Sequence, residues 1–135
     1  MKPTRPLTLT PFLIVQNADK ALEFYSTAFG ARILEKDDMS GGKVTARIAI
    51  GEAEAFVGDE EPEFNNFSPS AIGGSPVRLV LTVDDPDAIF MQALEAGATQ
   101  ICPVTTEASW RIGKLADPFG HIWEIGHPLG DNNES

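Results

Sequence analysis

An apolar run followed by a capped helix that stops at Gly-Ala occurs twice in this chain, and the spacing of the two copies constrains the fold more than any other feature. In the first copy, "PFLIV" leads to Asn17, a good N-cap, and then to "ADKALEFYSTAFG". There Ala21, Leu22, Tyr25, Ala28 and Phe29 share one helical face and Gly30 supplies the stop. In the second, "VRLVLTV" leads to Asp85 as N-cap and Pro86 at the first helical position. Ala88, Ile89, Ala93 and Ala96 form the inner stripe, and Gly97 ends the helix. Val15 and Val83 lie 68 positions apart, Gly30 and Gly97 67. A period this long, seen only twice, predicts a duplicated module rather than a solenoid.

Each copy continues into three strand-like segments, "ARILEK", "KVTARIAI" and "EAEAFVG" in the first and "TQICPV", "RIGKLAD" and "HIWEIG" in the second. Alternation is clear where Val44, Ala46, Ile48 and Ile50 oppose Thr45 and Arg47. The predicted fold class is therefore α+β, two tandem βαβββ modules in a single domain. Module one covers about 8–58, a connecting arm 59–76, module two 77–128 and a polar tail 129–135. The arm, "DEEPEFNNFSPSAIGGSP", has the Pro, Gly, Asn and Ser content of an irregular connection. Its Phe64, Phe67 and Ile72 suit it to pack across a neighbouring surface, such as a partner subunit. "SGGK" reads as a hairpin turn.

A chain of 135 residues, 42% hydrophobic, buries a real core within one domain. It has no run of roughly 18 apolar residues, which argues against a membrane span. The start, "MKPTRPLTLTPFLIV", lacks a cleavage site of small residues and reads as no signal peptide, so the expected location is cytoplasmic. The single cysteine, Cys102, forms no internal disulfide and is expected as a small buried residue. A formal charge of −10 repels nucleic acid and anionic lipid, so neither is expected as a partner. An acidic surface suits solubility and would also draw a cationic small molecule. "EEPEF" and "EKDD" read as solvated acidic surface rather than acid-base machinery.

The segment "ADPFGHIWEIGH" poses the sharpest chemical question, because His121 and His127 bracket Glu124 at three-residue spacing. Along a strand, alternate residues face opposite sides. If Glu124 points inward with Ile122, then His121, Trp123, Ile125 and His127 point the other way. The histidines then take hydrogen-bond roles near the sheet ends and do not join Glu124 in a metal site.

The order strand, helix, three strands, written twice, with "FY..AFGA" in the first half and "DPFGHIWEI" in the second, resembles the vicinal oxygen chelate superfamily. That group includes glyoxalase I, extradiol dioxygenases, fosfomycin-resistance enzymes and bleomycin-resistance proteins. "AIGGSPVRLVLTVDDPDA", "ALEAGAT" and "GKLADPFGHIWEI" are similar to the PhnB-like branch. The resemblance implies curved sheets forming a cup with helices outside, a homodimer, and ligand and metal inside the cup. In the family's metalloenzymes, ligands come from the first and last strands of each module, and the metal acts as a Lewis acid on two adjacent substrate oxygens.

Carried over residue by residue, the last-strand ligand of module two falls on Glu124. Subtracting 67 puts its counterpart in module one at Val57, which cannot coordinate. The first-strand position of module two falls on Arg78, a donor-only guanidinium, or two residues later on Val80. Thr10, with Phe12 beside it, is the counterpart in module one, and Thr45 stands where relatives carry a third-strand histidine. Only Glu124 is retained, and one carboxylate does not hold a catalytic divalent ion against water, so no metal or other cofactor is expected. Arg78 is expected to pair with Glu124 in its place.

The resemblance thus implies a cup bounded by Thr10, Phe12, Arg78, Val80, Trp110, Arg111, Ile122 and Glu124, with Ile14, Val57 and Thr82 also lining it. Strand alternation turns Phe56 toward the helices. Trp110 fits either a stacking platform at the cup mouth or ordinary core packing. The expected function is a dimeric, metal-free protein of the glyoxalase/bleomycin-resistance type that binds a small organic molecule, with sequestration of a drug such as a cationic or aromatic antibiotic as one form of that role. The alternative is a metal-dependent enzyme of the same superfamily, a lyase, dioxygenase or transferase, with Glu124 as general base or sole metal anchor. A dimeric scaffold without ligand is a third reading.

Overall fold

The computed structural model describes residues 4–130 and contains two four-stranded mixed sheets and three helices. Module one comprises β1 (Phe12–Val15), α1 (Ala18–Phe29), β2 (Arg32–Asp38), β3 (Val44–Ile50) and β4 (Ala53–Asp59). Its strands lie in the order β1-β4-β3-β2. Module two repeats the plan with β5 (Arg78–Thr82), α3 (Pro86–Ala96), β6 (Thr99–Glu107), β7 (Trp110–Ala116) and β8 (Ile122–Pro128), ordered β5-β8-β7-β6. In both, the first strand runs parallel to the last and the remaining pairs are antiparallel. The helix between first and second strands is what permits that parallel return.

The local signals act as the sequence predicts. The Asn17 side chain accepts from the backbone N–H of Lys20, and Gly30 closes α1 at φ 70, a left-handed conformation that costs glycine little. Asp85 caps α3 in the same way through Ala88 N–H, with Pro86 following it. All five residues of the α1 stripe are buried. The α3 stripe is corrected: Ala88 is exposed, whereas Phe90 is buried beside Ala93. Alanines at helical spacing carry little periodic signal, and Phe90 is the larger apolar payload on that face.

One core serves both modules. Phe29 of α1 meets Trp123 of β8 with ring centroids 4.6 Å apart, and Gln92 of α3 donates to the Thr27 and Ala28 carbonyls of α1. The Asp117 carboxylate, 5% exposed, organises the turn before β8 by accepting from Phe119 N–H and His121 N–H, and reaches Tyr25 Oη and Trp123 Nε1 as well.

The connecting arm contains one 3-10 turn and a single helical turn, α2 (Pro69–Ile72). Glu60 tethers it by accepting from the buried Ser68 hydroxyl at 2.5 Å. Phe67, Pro69 and Ile72 form one wall of a groove of about 310 Å³ whose other wall includes Pro11, Phe12 and Ile14. Cys102 corrects a second expectation. It is exposed, because β6 is an edge strand with register irregularities on both sides of this residue.

Candidate functional site

Each sheet packs one face on the helices and leaves the other open. In β5 the helix-facing residues are Leu79 and Leu81, while Arg78, Val80 and Thr82 are exposed on the open face. In β8, Trp123 and Ile125 enter the core and Glu124 turns to the open side with Ile122, both half-buried. Cross-strand neighbours share a face, so the pairings Val80 with Glu124 and Glu124 with Lys114 place these three in one row. Ile122 lies opposite Arg78 one step along.

At the centre, Glu124 Oε2 lies 3.3 Å from Arg78 Nη1 and 3.9 Å from Lys114 Nζ. The expected pairing of Arg78 with Glu124 is present, and Lys114 joins it, a residue the sequence reading did not single out. Its register opposite Glu124 across a hairpin was the signal that could have found it. Glu124 retains 17% side-chain exposure and Arg78 59%, so the pair is partly hydrated. Such a pair contributes at most about 1 kcal/mol of stability, and its consequence is where it places charge.

The histidines behave as alternation predicts. His121 Nε2 lies 2.8 Å from the Ile14 carbonyl oxygen and His127 Nδ1 lies 2.7 Å from that of Val83. A carbonyl only accepts, so each of these nitrogens carries a proton and is not free to ligate. His121 also ties module two to β1 of module one.

Module one requires a correction. Val57 is fully buried in the core beneath the sheet and does not line the cup; Phe56 takes the open face and stacks on Phe12 with centroids 5.7 Å apart. The register pairs Phe12 with Phe56 and Val80 with Glu124, an offset of 68 for both members. The error of one arises in the last turn. Lys114 and its partner Glu124 are ten positions apart, whereas Arg47 and its partner Phe56 are nine, so the Asp117–His121 turn carries one extra residue. A slip of one residue exchanges the faces of a strand.

Arg111 is also relocated. It makes two hydrogen bonds to Asp87 in the first turn of α3, at 3.0 and 2.8 Å, on the helix side of the sheet. The bonded carboxylate raises the Arg111 pKa, and the Arg111 hydrogen bond lowers that of Asp87. Its neighbour Trp110 therefore faces the open side, where its ring and Ile112 lie against Gly126: a Cβ there would stand 3.1 Å from Trp110 Cε3 and 2.9 Å from Ile112 Cγ1. Thr10 precedes β1 and is half-buried.

The donor set does not fit a divalent ion. Around Glu124 stand Val80, Ile122, Arg78 and Lys114, and the module-one counterparts are Phe12 and Phe56. No group of three His, Cys, Asp or Glu side chains suited to a metal occurs among the described residues. Two cations beside the one carboxylate would also repel a metal ion.

Comparison with known proteins agrees with this architecture. An uncharacterized protein of Mycobacterium tuberculosis is 37% identical over 131 residues, spanning 93% of this chain and 76% of that protein. The solved structure of an Arabidopsis thaliana gene product is 27% identical, with a TM-score of 0.71 over 91% of this chain and all of that one. The structure of TioX from Micromonospora sp. ML1 gives a TM-score of 0.72 at 23% identity, over 92% of this chain and 100% of that one, and so shares the fold. The model of one family matches residues 7–125, and with two βαβββ modules and the open sheet faces in view, the chain belongs to the Glyoxalase/Bleomycin resistance protein/Dioxygenase superfamily.

Proposed function

We propose that this chain is a metal-free, small-molecule-binding member of the superfamily. The observation that carries this reading is the Arg78–Glu124–Lys114 cluster: the one carboxylate at a family ligand position is engaged by two cations, and the neighbouring positions are apolar. What remains is an open sheet face that carries an ion cluster with Ile112 and Trp110 further along it, a surface suited to an organic molecule through shape, stacking and hydrogen bonds. The protein works in the cytoplasm as a homodimer in which each copy closes the other's open sheets. Support for this comes from apolar groups left on those faces, with Phe12 49% and Val80 55% exposed. Among the described residues, no helix is long and apolar enough to cross a membrane.

The test is metal uptake. Protein stripped of metal is titrated with nickel, zinc, iron(II) and manganese by calorimetry and elemental analysis, beside Glu124→Gln. No stoichiometric uptake is expected from either. Stoichiometric binding that Glu124→Gln abolishes would overturn the metal-free reading in favour of an enzyme anchored on Glu124. Sedimentation should give the mass of two chains.

A further inference from the structure

We infer that the open face of module two holds an oxyanion of the ligand, a carboxylate or its equivalent, between Arg78 and Lys114. The inference rests on the metal-free cup proposed above and specifies what enters it.

The first argument is the charge count. Elsewhere the paired cations are matched or outnumbered: Arg47 lies between Glu35 and Glu54, Lys36 meets Asp19, and Arg111 meets Asp87. Among the described residues, two cations share one carboxylate at Glu124 alone. Among the described residues neither the Arg78 nor the Lys114 side chain has another hydrogen bond or ion pair. The cluster therefore carries one net positive charge on the surface of a chain whose total is −10. Exposed charges farther off than about 8 Å, the Debye length at physiological salt, are largely screened, so a ligand on this face meets chiefly the charges nearest to it.

The second argument is donor geometry. Charge-assisted N–H to carboxylate bonds are tightest at about 2.7–2.9 Å. Arg111 achieves this on Asp87 at 2.8 Å, but Arg78 and Lys114 stand off Glu124 at 3.3 and 3.9 Å. Only Nη1 of Arg78 is used, from a group with five N–H donors. The unused donors lie beside Glu124, whose own carboxylate opposes a second anion by repulsion and orients both cations.

The third argument is the apolar floor beside the cluster. Ile112 and Trp110 lie two and four residues from Lys114 on the same strand and face, roughly 7 and 13 Å along it. A carboxylate at Arg78 and Lys114 thus leaves an attached apolar or aryl body over Ile112, within reach of the Trp110 ring.

Three probes of one shape and different charge test this: 4-phenylbutyrate, 4-phenylbutyramide and 4-phenylbutylamine, followed by amide chemical shifts of the labelled protein. The carboxylate is expected to bind at least about tenfold more tightly than the other two, given what hydrogen bonds to charged groups contribute. Arg78→Met and Lys114→Met should each weaken it by about the same factor, while Lys36→Met, which removes the same charge from the helix side, should not. Glu124→Gln should tighten carboxylate binding, because it removes the competing anion. That sign separates the reading from a cation site, where Glu124→Gln would loosen binding. Amine or amide binding as tight as carboxylate binding, or weakening by Glu124→Gln, would overturn the oxyanion inference and leave the cup. Absence of any shift on the open face with all three probes would overturn both.

Discussion

Tyr25 Oη donates a 2.5 Å hydrogen bond to Asp117 Oδ2, joining α1 of the first module to the last turn of the second across 92 residues of sequence. Trp123 Nε1 donates to the same oxygen, so one buried carboxylate binds the two halves of the core. Tyr25→Phe removes a hydrogen bond to a charged group and should lower stability by about 1.5–3 kcal/mol in urea unfolding. Burial, then the charge and hydrogen bonding of Asp117, raise the Tyr25 pKa well above its usual value. The sign follows from linkage: the contribution is complete below the unfolded pKa of about 10 and is lost as pH rises toward the folded one. The stability gap between wild type and Tyr25→Phe should therefore narrow above pH 10, by about 1.4 kcal/mol per pH unit.

Arg111 belongs to the α3 N-terminus and not to the cup. Its hydrogen bonds hold the Asp87 pKa below the ordinary carboxylate range. Depression of the folded pKa means that any stability from this pair is present above the unfolded value and disappears as pH falls through the folded one. Arg111→Met should return Asp87 to the ordinary range in a carboxyl NMR titration. Probe-induced shifts around Glu124 should stay as in wild type; their loss would put Arg111 back in the cup.

Two glycines with similarly close neighbours should respond differently to alanine. At Gly113 a Cβ would meet Phe90, Val104 and the Val104 backbone nitrogen at 2.8–3.0 Å in the packed interior. Gly113→Ala should cost about 1–3 kcal/mol by overpacking. At Gly58 the obstruction is the exposed Phe12 ring, 2.9 Å away, which can swing outward. Gly58→Ala should leave the unfolding midpoint nearly unchanged while shifting the Phe12 and Phe56 ring resonances. A larger loss of stability in Gly58→Ala than in Gly113→Ala would contradict this assignment of faces.

Cys102 lies on the exposed edge strand β6, opposite Lys114. An aromatic disulfide reagent should modify one thiol per native chain without denaturant. Reaction only after unfolding would restore the buried reading, or show that a partner copy covers this edge.

The sequence alone determined the duplication, both helices with their caps and the strand segments. These rest on local physics: a cap satisfies N–H groups three residues away, and alternation is set by the pleat. It also fixed the direction of the histidines, because alternation within one strand needs no knowledge of the others. Tertiary structure decided what depends on register between strands. The extra residue in the Asp117–His121 turn makes the offset between the last strands 68 rather than 67, so the open-face counterpart of Glu124 is Phe56, while Val57 lies in the core. Only assembly could pair Arg111 with Asp87, or bring Lys114 beside Arg78 and Glu124. A charge takes its role from the charges that folding places next to it, and those come from distant parts of the chain.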